Sequence, residues 1–137
     1  MSYDLMVFER EKSPVKYKDF LDWYGKESEW TEDHNYDDPV VSSSALQEWY
    51  REMIQTFPAM NGPDAPSDEE LNEDEDLELH LTDYCIGSNV IYAGFSWSLM
   101  DEAYELTKRL AQKHGVGFFD VSGKDADVFL PDGSLMK

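Results

Sequence analysis

The chain has 137 residues, the size of one ordinary domain, and its 41% hydrophobic content is enough to fill a core, which excludes a disordered chain. Thirty Asp and Glu face eleven Lys and Arg, a net charge of −19, so nucleic acid and anionic membrane, which both need basic patches, are excluded as expected partners. The one cysteine, Cys85, leaves no internal disulfide and no multi-cysteine zinc site.

In chain order, Tyr3 to Phe8 is a short apolar run bounded by charges and predicts a first strand. The opening segment lacks a basic start with a long apolar stretch, and nothing approaches the ~20 apolar residues of a membrane span, so the expected location is cytoplasmic. Tyr17, Phe20, Leu21 and Tyr24 lie at helical spacing and predict a helix within Val15 to Trp30, entered at Ser13-Pro14 and weakened or ended early by Gly25. Residues 31–42 are polar and turn-rich. Ser44 with Gln47 has the form of a capping box. Leu46, Trp49, Tyr50, Met53 and Phe57 then make one apolar stripe, stopped by Pro58.

Residues 58–76 read as an acidic loop with little to bury, expected to be mobile or poorly packed from 61 to 76. Leu77, Leu79 and Leu81 alternate with polar residues, and a turn at IGSN separates them from VIYAGFSW, so 77–97 reads as a hairpin. Ser98 with Asp101 suggests a second capping box, and Leu99, Ala103, Leu106 and Leu110 a third helix closing at His114-Gly115. Lys108, Arg109, Lys113 and His114 suit its negative dipole end. GVGFFDVS and DVFLPDG follow as two more strands.

The expected fold is a single α+β domain over residues 1–137, β-α-α-β-β-α-β-β, with an antiparallel or mixed sheet of about five strands and three helices on one face. The expected core unites Leu46, Trp49, Met53, Leu79, Leu81, Phe95, Leu106 and Leu110.

No arrangement of residues compels a catalytic reading. His80 and Cys85 are five apart on the predicted strand, hence on opposite faces, and Cys85 is expected in the core beside Leu79 and Leu81. GFSWS lacks the final glycine of a nucleophile elbow. The tract from Asp68 to Asp76 lacks the glycine and ligand register of an EF-hand, and His34, His80 and His114 lack metal-ligand spacing, so neither metal nor cofactor is expected.

Charge distribution is more informative. Between Arg51 and Lys108 there is no Lys or Arg, while fourteen acids lie in that interval. Solubility alone could explain the acids, but their segregation also fits a surface for a basic partner. Two regions mix acids with potential contact residues. One is the loop with Trp30, Glu32, Asp33, Tyr36, Asp37 and Asp38, where Trp30 fits equally a contact residue and a half-buried anchor of the loop; the other is the tract Asp68, Glu69, Glu70, Glu73, Asp74, Glu75 and Asp76.

The stretches MSYDLMVF, LQEWYREMIQTFPAMNG and LTDYCIGSNVIYAGFSWSLMDEAYELTKRLAQKHGVGFFDVSG resemble a group of small acidic bacterial proteins; together they cover most of the chain and carry no catalytic motif. In build (small, acidic, α+β, with Phe119-Asp120 ending a strand after the last helix) the chain is similar in type to immunity proteins of bacterial polymorphic toxin systems. That resemblance implies a non-enzymatic inhibitor that neutralises a basic toxin, often a nuclease, by forming a specific complex. The competing expectation is a small-ligand or enzymatic domain using Asp83, Asp120 and Tyr84.

Overall fold

The computed structural model describes residues 2–32, 34 and 36–136. Strand β1 (Tyr3–Phe8) is the centre of the architecture, and its composition explains why. All of its residues but Asp4 are buried, so it has an apolar face on each side: Tyr3, Leu5 and Val7 on one, Met6 and Phe8 on the other. Such a strand has to be covered twice. The sheet runs β2-β3-β1-β4-β5, with β2 (Asp83–Ile86), β3 (Val90–Phe95), β4 (Gly117–Phe119) and β5 (Val128–Phe129), every pair antiparallel.

Helices α2 (Ser44–Thr56) and α5 (Met100–His114) cover the Leu5/Val7 face, where Leu46, Trp49, Met53, Phe95 and Leu110 are buried together. Helix α1 (Tyr17–Glu27) covers the opposite face, with the Phe20 ring 4.7 Å from Phe8 and 5.3 Å from Phe119. The helices therefore lie on both faces rather than one. An antiparallel sheet with one wet face needs alternating polarity, and LMVF does not alternate.

Helix α1 continues through Gly25 to Glu27, since an exposed glycine within a helix costs only about 1 kcal/mol. The α2 cap lies one residue before the expected one: the Ser43 hydroxyl accepts from the Leu46 N–H (3.4 Å), while the Gln47 amide donates to the Ser42 carbonyl (2.8 Å). No capping box forms at Ser98 either. A 3-10 turn at Trp97–Leu99 leads into α5, and the Ser98 hydroxyl pairs with that of Ser96 (2.9 Å). Helix α5 ends as expected at Gly115, whose φ of 72° is a left-handed conformation that glycine adopts without strain.

The stretch read as a loop and a strand contains two short helices, α3 (Asp68–Glu73) and α4 (Glu75–Leu79). Ser67 caps the first by accepting from the Glu70 N–H (3.2 Å). The Asp74 carboxylate caps the second by accepting from the N–H groups of Asp76 (3.0 Å) and Leu77 (3.3 Å). With acids crowding both first turns, the positive ends of the helices offset the charge run. Leu79 is consequently not core but 45% exposed, and the hairpin is shorter than expected, beginning at Asp83. Leu81 and Leu106 are only partly buried. Thr82, just before β2, and Tyr84 and Ile86 within it are buried, and so Cys85 faces the other way, half-buried rather than in that core.

One close approach has a direct consequence. Gly117 pairs with Phe8 across the sheet, and the Phe8 ring lies where a Cβ on Gly117 would have to be. Gly117→Ala is expected to cost about 1–3 kcal/mol or more by overpacking. Chemical denaturation checks this, and an unchanged midpoint would mean that the ring moves aside freely.

Candidate functional site

The two regions proposed from sequence take different roles. In the 30–38 loop the aromatic rings turn inward. Trp30, at φ 53°, places its ring edge-on to Tyr36 (5.2 Å) and near Tyr92 (6.3 Å), half-buried against the α1 face. The Tyr36 hydroxyl accepts from the Glu32 N–H (2.7 Å), and the Tyr36 carbonyl accepts from the Ile86 N–H (2.8 Å), fastening the loop to the edge of β2. The Glu32 carboxylate accepts from the Ser88 N–H (3.2 Å) and pairs with His34 Nε2 (2.8 Å). Burial opposes its ionisation, but these hydrogen bonds prevail and hold its pKa below the ordinary carboxylate range. Asp38 accepts from the Val40 N–H (3.0 Å) to start a 3-10 turn, and the Asp37 backbone packs where Gly62 has no side chain. Asp33 lies outside the described residues. This loop is a strap of the fold more than an outward contact surface.

The acidic tract is the reverse. Asp68, Glu69, Glu70, Glu73, Asp74, Glu75 and Asp76 are all exposed, on α3 and α4 or at the junction between them. Beside them lies an open groove of about 700 Å³. Met60, Leu79, Leu81 and Phe95 give it an apolar floor, and Glu75, Glu78 and Asp83 supply its charge. Met60 is 48% exposed, so two large apolar side chains, Met60 and Leu79, stand open to solvent among carboxylates. Of the residues expected to bind a partner, Glu75 is the one that lines this groove. The apolar half was missed because the leucine alternation was read as a buried strand face.

A smaller cavity of about 290 Å³ adjoins it, sharing Ser2, Asp83 and Gly94 with the groove. It opens on the α1 face of the sheet. Asp4, Gly94 and Asp83 form one row across β1, β3 and β2, and Tyr24, Ser28, Trp30, Cys85 and Tyr92 complete the walls with Ser2. The Tyr92 hydroxyl and the Ser2 hydroxyl both donate to the Asp4 carboxylate. Burial, then the Asp4 carboxylate, push the Tyr92 hydroxyl far above its usual pKa, and burial raises Tyr24. Burial, assisted by Asp83, raises the Cys85 thiol, which keeps it protonated at neutral pH. Among the described residues neither Asp4 nor Asp83 forms a salt bridge.

The residues of the small-ligand reading do not converge. Tyr84 is buried on the α2/α5 face, donating to the Phe57 carbonyl (2.8 Å), while Asp83 points to the other face. Asp120 follows β4, which stands three strands from β2, roughly 14 Å away at the usual strand spacing. His80 ends α4 beside Glu102 (3.5 Å) and does not meet Cys85 in either cavity. No group of three or more His, Cys, Asp or Glu among the described residues could hold a metal, and no described helix is long and apolar enough to cross a membrane.

Asp120 itself gives a pH prediction. Burial, then the charge of Asp127, raise its pKa, and its Oδ1 is buried without a hydrogen-bond partner. A raised folded-state pKa means that the associated stability is present below the unfolded-state pKa and is lost as pH rises through the folded-state value. Ionised Asp120 therefore burdens the fold at neutral pH. Asp120→Asn is expected to melt higher than the parent at pH 7, with the advantage vanishing near pH 3, below the ordinary carboxylate pKa. An equal or lower melting temperature at pH 7 would contradict this.

No protein-family model, curated protein or solved structure matches this chain.

Proposed function

We propose that this chain is a non-catalytic binding protein that docks on a basic protein partner, acting in the cytoplasm as an immunity-type inhibitor of a toxin. The observation that carries the reading is the groove beside α4, where exposed Met60 and Leu79 sit among Glu75, Glu78 and Asp83. Interfaces of this kind divide the work: charge steers the encounter, and desolvated apolar side chains hold the complex. The surroundings reinforce the steering, since the interval from Arg51 to Lys108 contributes fourteen acids and no internal Lys or Arg. Speed matters for an inhibitor whose target is lethal, and an acidic surface facing a basic one raises the association rate.

The inhibitor would work by covering the partner's functional surface rather than by altering it chemically. The acids of α3 and α4 form the rim that attracts the partner, and the apolar floor is the contact that excludes water. The test is to produce the protein encoded by the adjacent gene and to measure complex formation with it, together with loss of its toxic activity on mixing. A one-to-one, salt-sensitive complex supports the reading. Failure to bind or inhibit that neighbour at micromolar concentrations would sink it.

A further inference from the structure

We infer that the 290 Å³ cavity between Asp4 and Asp83 is a specificity pocket for one arginine side chain of the basic partner. The inference rests on the docking reading and adds to it a single recognised residue. Asp4 and Asp83 occupy the two ends of one cross-strand row, and the residue between them is Gly94. With no side chain there, the row opens into a slot with a carboxylate at each end. The Asp4 carboxylate is oriented by Ser2 and Tyr92, yet neither donor is charged, so its negative charge is not neutralised within the slot. Asp83 is exposed at the junction with the larger groove, where an approaching chain would pass.

The walls decide between the two basic side chains. Trp30, Tyr24 and Tyr92 present aromatic surface to the same cavity. A planar guanidinium stacks on aromatic rings and donates in two directions at once, whereas an ammonium is a compact, strongly hydrated point charge. The volume also fits one side chain, being just under the range of pockets that take whole small molecules. Arginine brings a wider fork of donors to the two carboxylates and a planar face to the aromatic walls; lysine brings three donors on a single nitrogen and no planar face.

The experiment uses the full-length ¹⁵N-labelled protein titrated with N-acetyl-arginine amide, with the lysine and norleucine amides as comparison probes. The arginine probe should produce saturable shifts at the Asp83, Tyr92 and Gly94 amides, with a dissociation constant of about 1–10 mM, and the lysine probe should bind at least several-fold more weakly. Asp83→Asn, at an exposed edge position, should weaken the arginine probe about tenfold without unfolding the protein. Gly94→Ala, which keeps both charges and narrows the slot, should weaken it as well, because its Cβ would press on Ser2 and Asp4. Equal binding of arginine and lysine, or binding unaffected by Asp83→Asn, would overturn the inference. Shifts along residues 68–79 with none at Tyr92 and Gly94 would overturn it while leaving the basic-partner reading standing. Loss of that broader reading would appear separately, as failure of the protein to bind the product of the adjacent gene at all.

Discussion

Trp49→Ala is expected to cost about 3–5 kcal/mol of folding stability, the cost usual for truncating a fully buried large aromatic residue. Trp49 is 0% exposed and lies on the apolar stripe of α2. Its ring stands edge-on to Tyr84 at 6.3 Å, and its indole N–H donates to the Thr107 carbonyl of α5 (3.3 Å). One side chain thus joins α2, α5 and the sheet. Alanine would leave a cavity framed by secondary structure, and it would also remove the indole hydrogen bond that ties α2 to the Thr107 carbonyl. Urea unfolding followed by circular dichroism measures the loss. A change below about 1 kcal/mol would mean that α2 and α5 do not pack as described.

The second large effect belongs to binding. Met60→Ala combined with Leu79→Ala is expected to speed dissociation of the partner complex about 30-fold, equivalent to about 2 kcal/mol. Both side chains are close to half exposed in the free chain, at 48% and 45%, so the folded protein loses little when they are cut back. What is lost is the apolar contact made when the groove closes over a partner. The paired readout matters: a stable double variant with an unchanged dissociation rate would move the interface elsewhere.

How far the residues announce the structure depends on how many independent signals agree. Strand β1, with its ends at Tyr3 and Phe8, and the stripe of α2 are legible because apolar pattern, length and flanking breakers coincide. The end of α5 is legible because Gly115 follows a basic last turn. Alternation over Leu77, Leu79 and Leu81 has no such support. Three alternations fit a strand, but Asp74 caps a helical turn at that point, and local side-chain hydrogen bonds decide between two weak preferences. The misreading propagated, because a strand has period two. Placing Leu79 and Leu81 inside put Cys85 inside with them, whereas Thr82, Tyr84 and Ile86 are the buried set.

The candidate site was legible in charge and not in shape. Exposed acids at 68–76 are readable from composition, since clustered like charges avoid burial. For Trp30 the sequence leaves a contact residue and a half-buried loop anchor equally open, and what decides for the anchor, the Tyr36 carbonyl meeting the edge of β2, is a contact 50 residues distant in sequence. The slot between Asp4 and Asp83 was equally hidden. It exists only once strand order brings positions 4, 94 and 83 into one row.

The central claim, docking of a basic partner along the acidic groove, is tested most directly by association kinetics at two ionic strengths. The comparison is the parent protein against Glu75→Lys/Glu78→Lys, with Glu69→Lys/Glu70→Lys/Asp74→Lys as the rim variant. For the parent, raising salt from about 0.05 to 0.5 M should slow association at least tenfold, as the Debye length contracts from roughly 14 to 4 Å. Both variants should associate slowly at low salt and show a flatter salt dependence, while only the groove variant should also dissociate faster. Parent and variant rates that coincide at both salt concentrations would contradict the account.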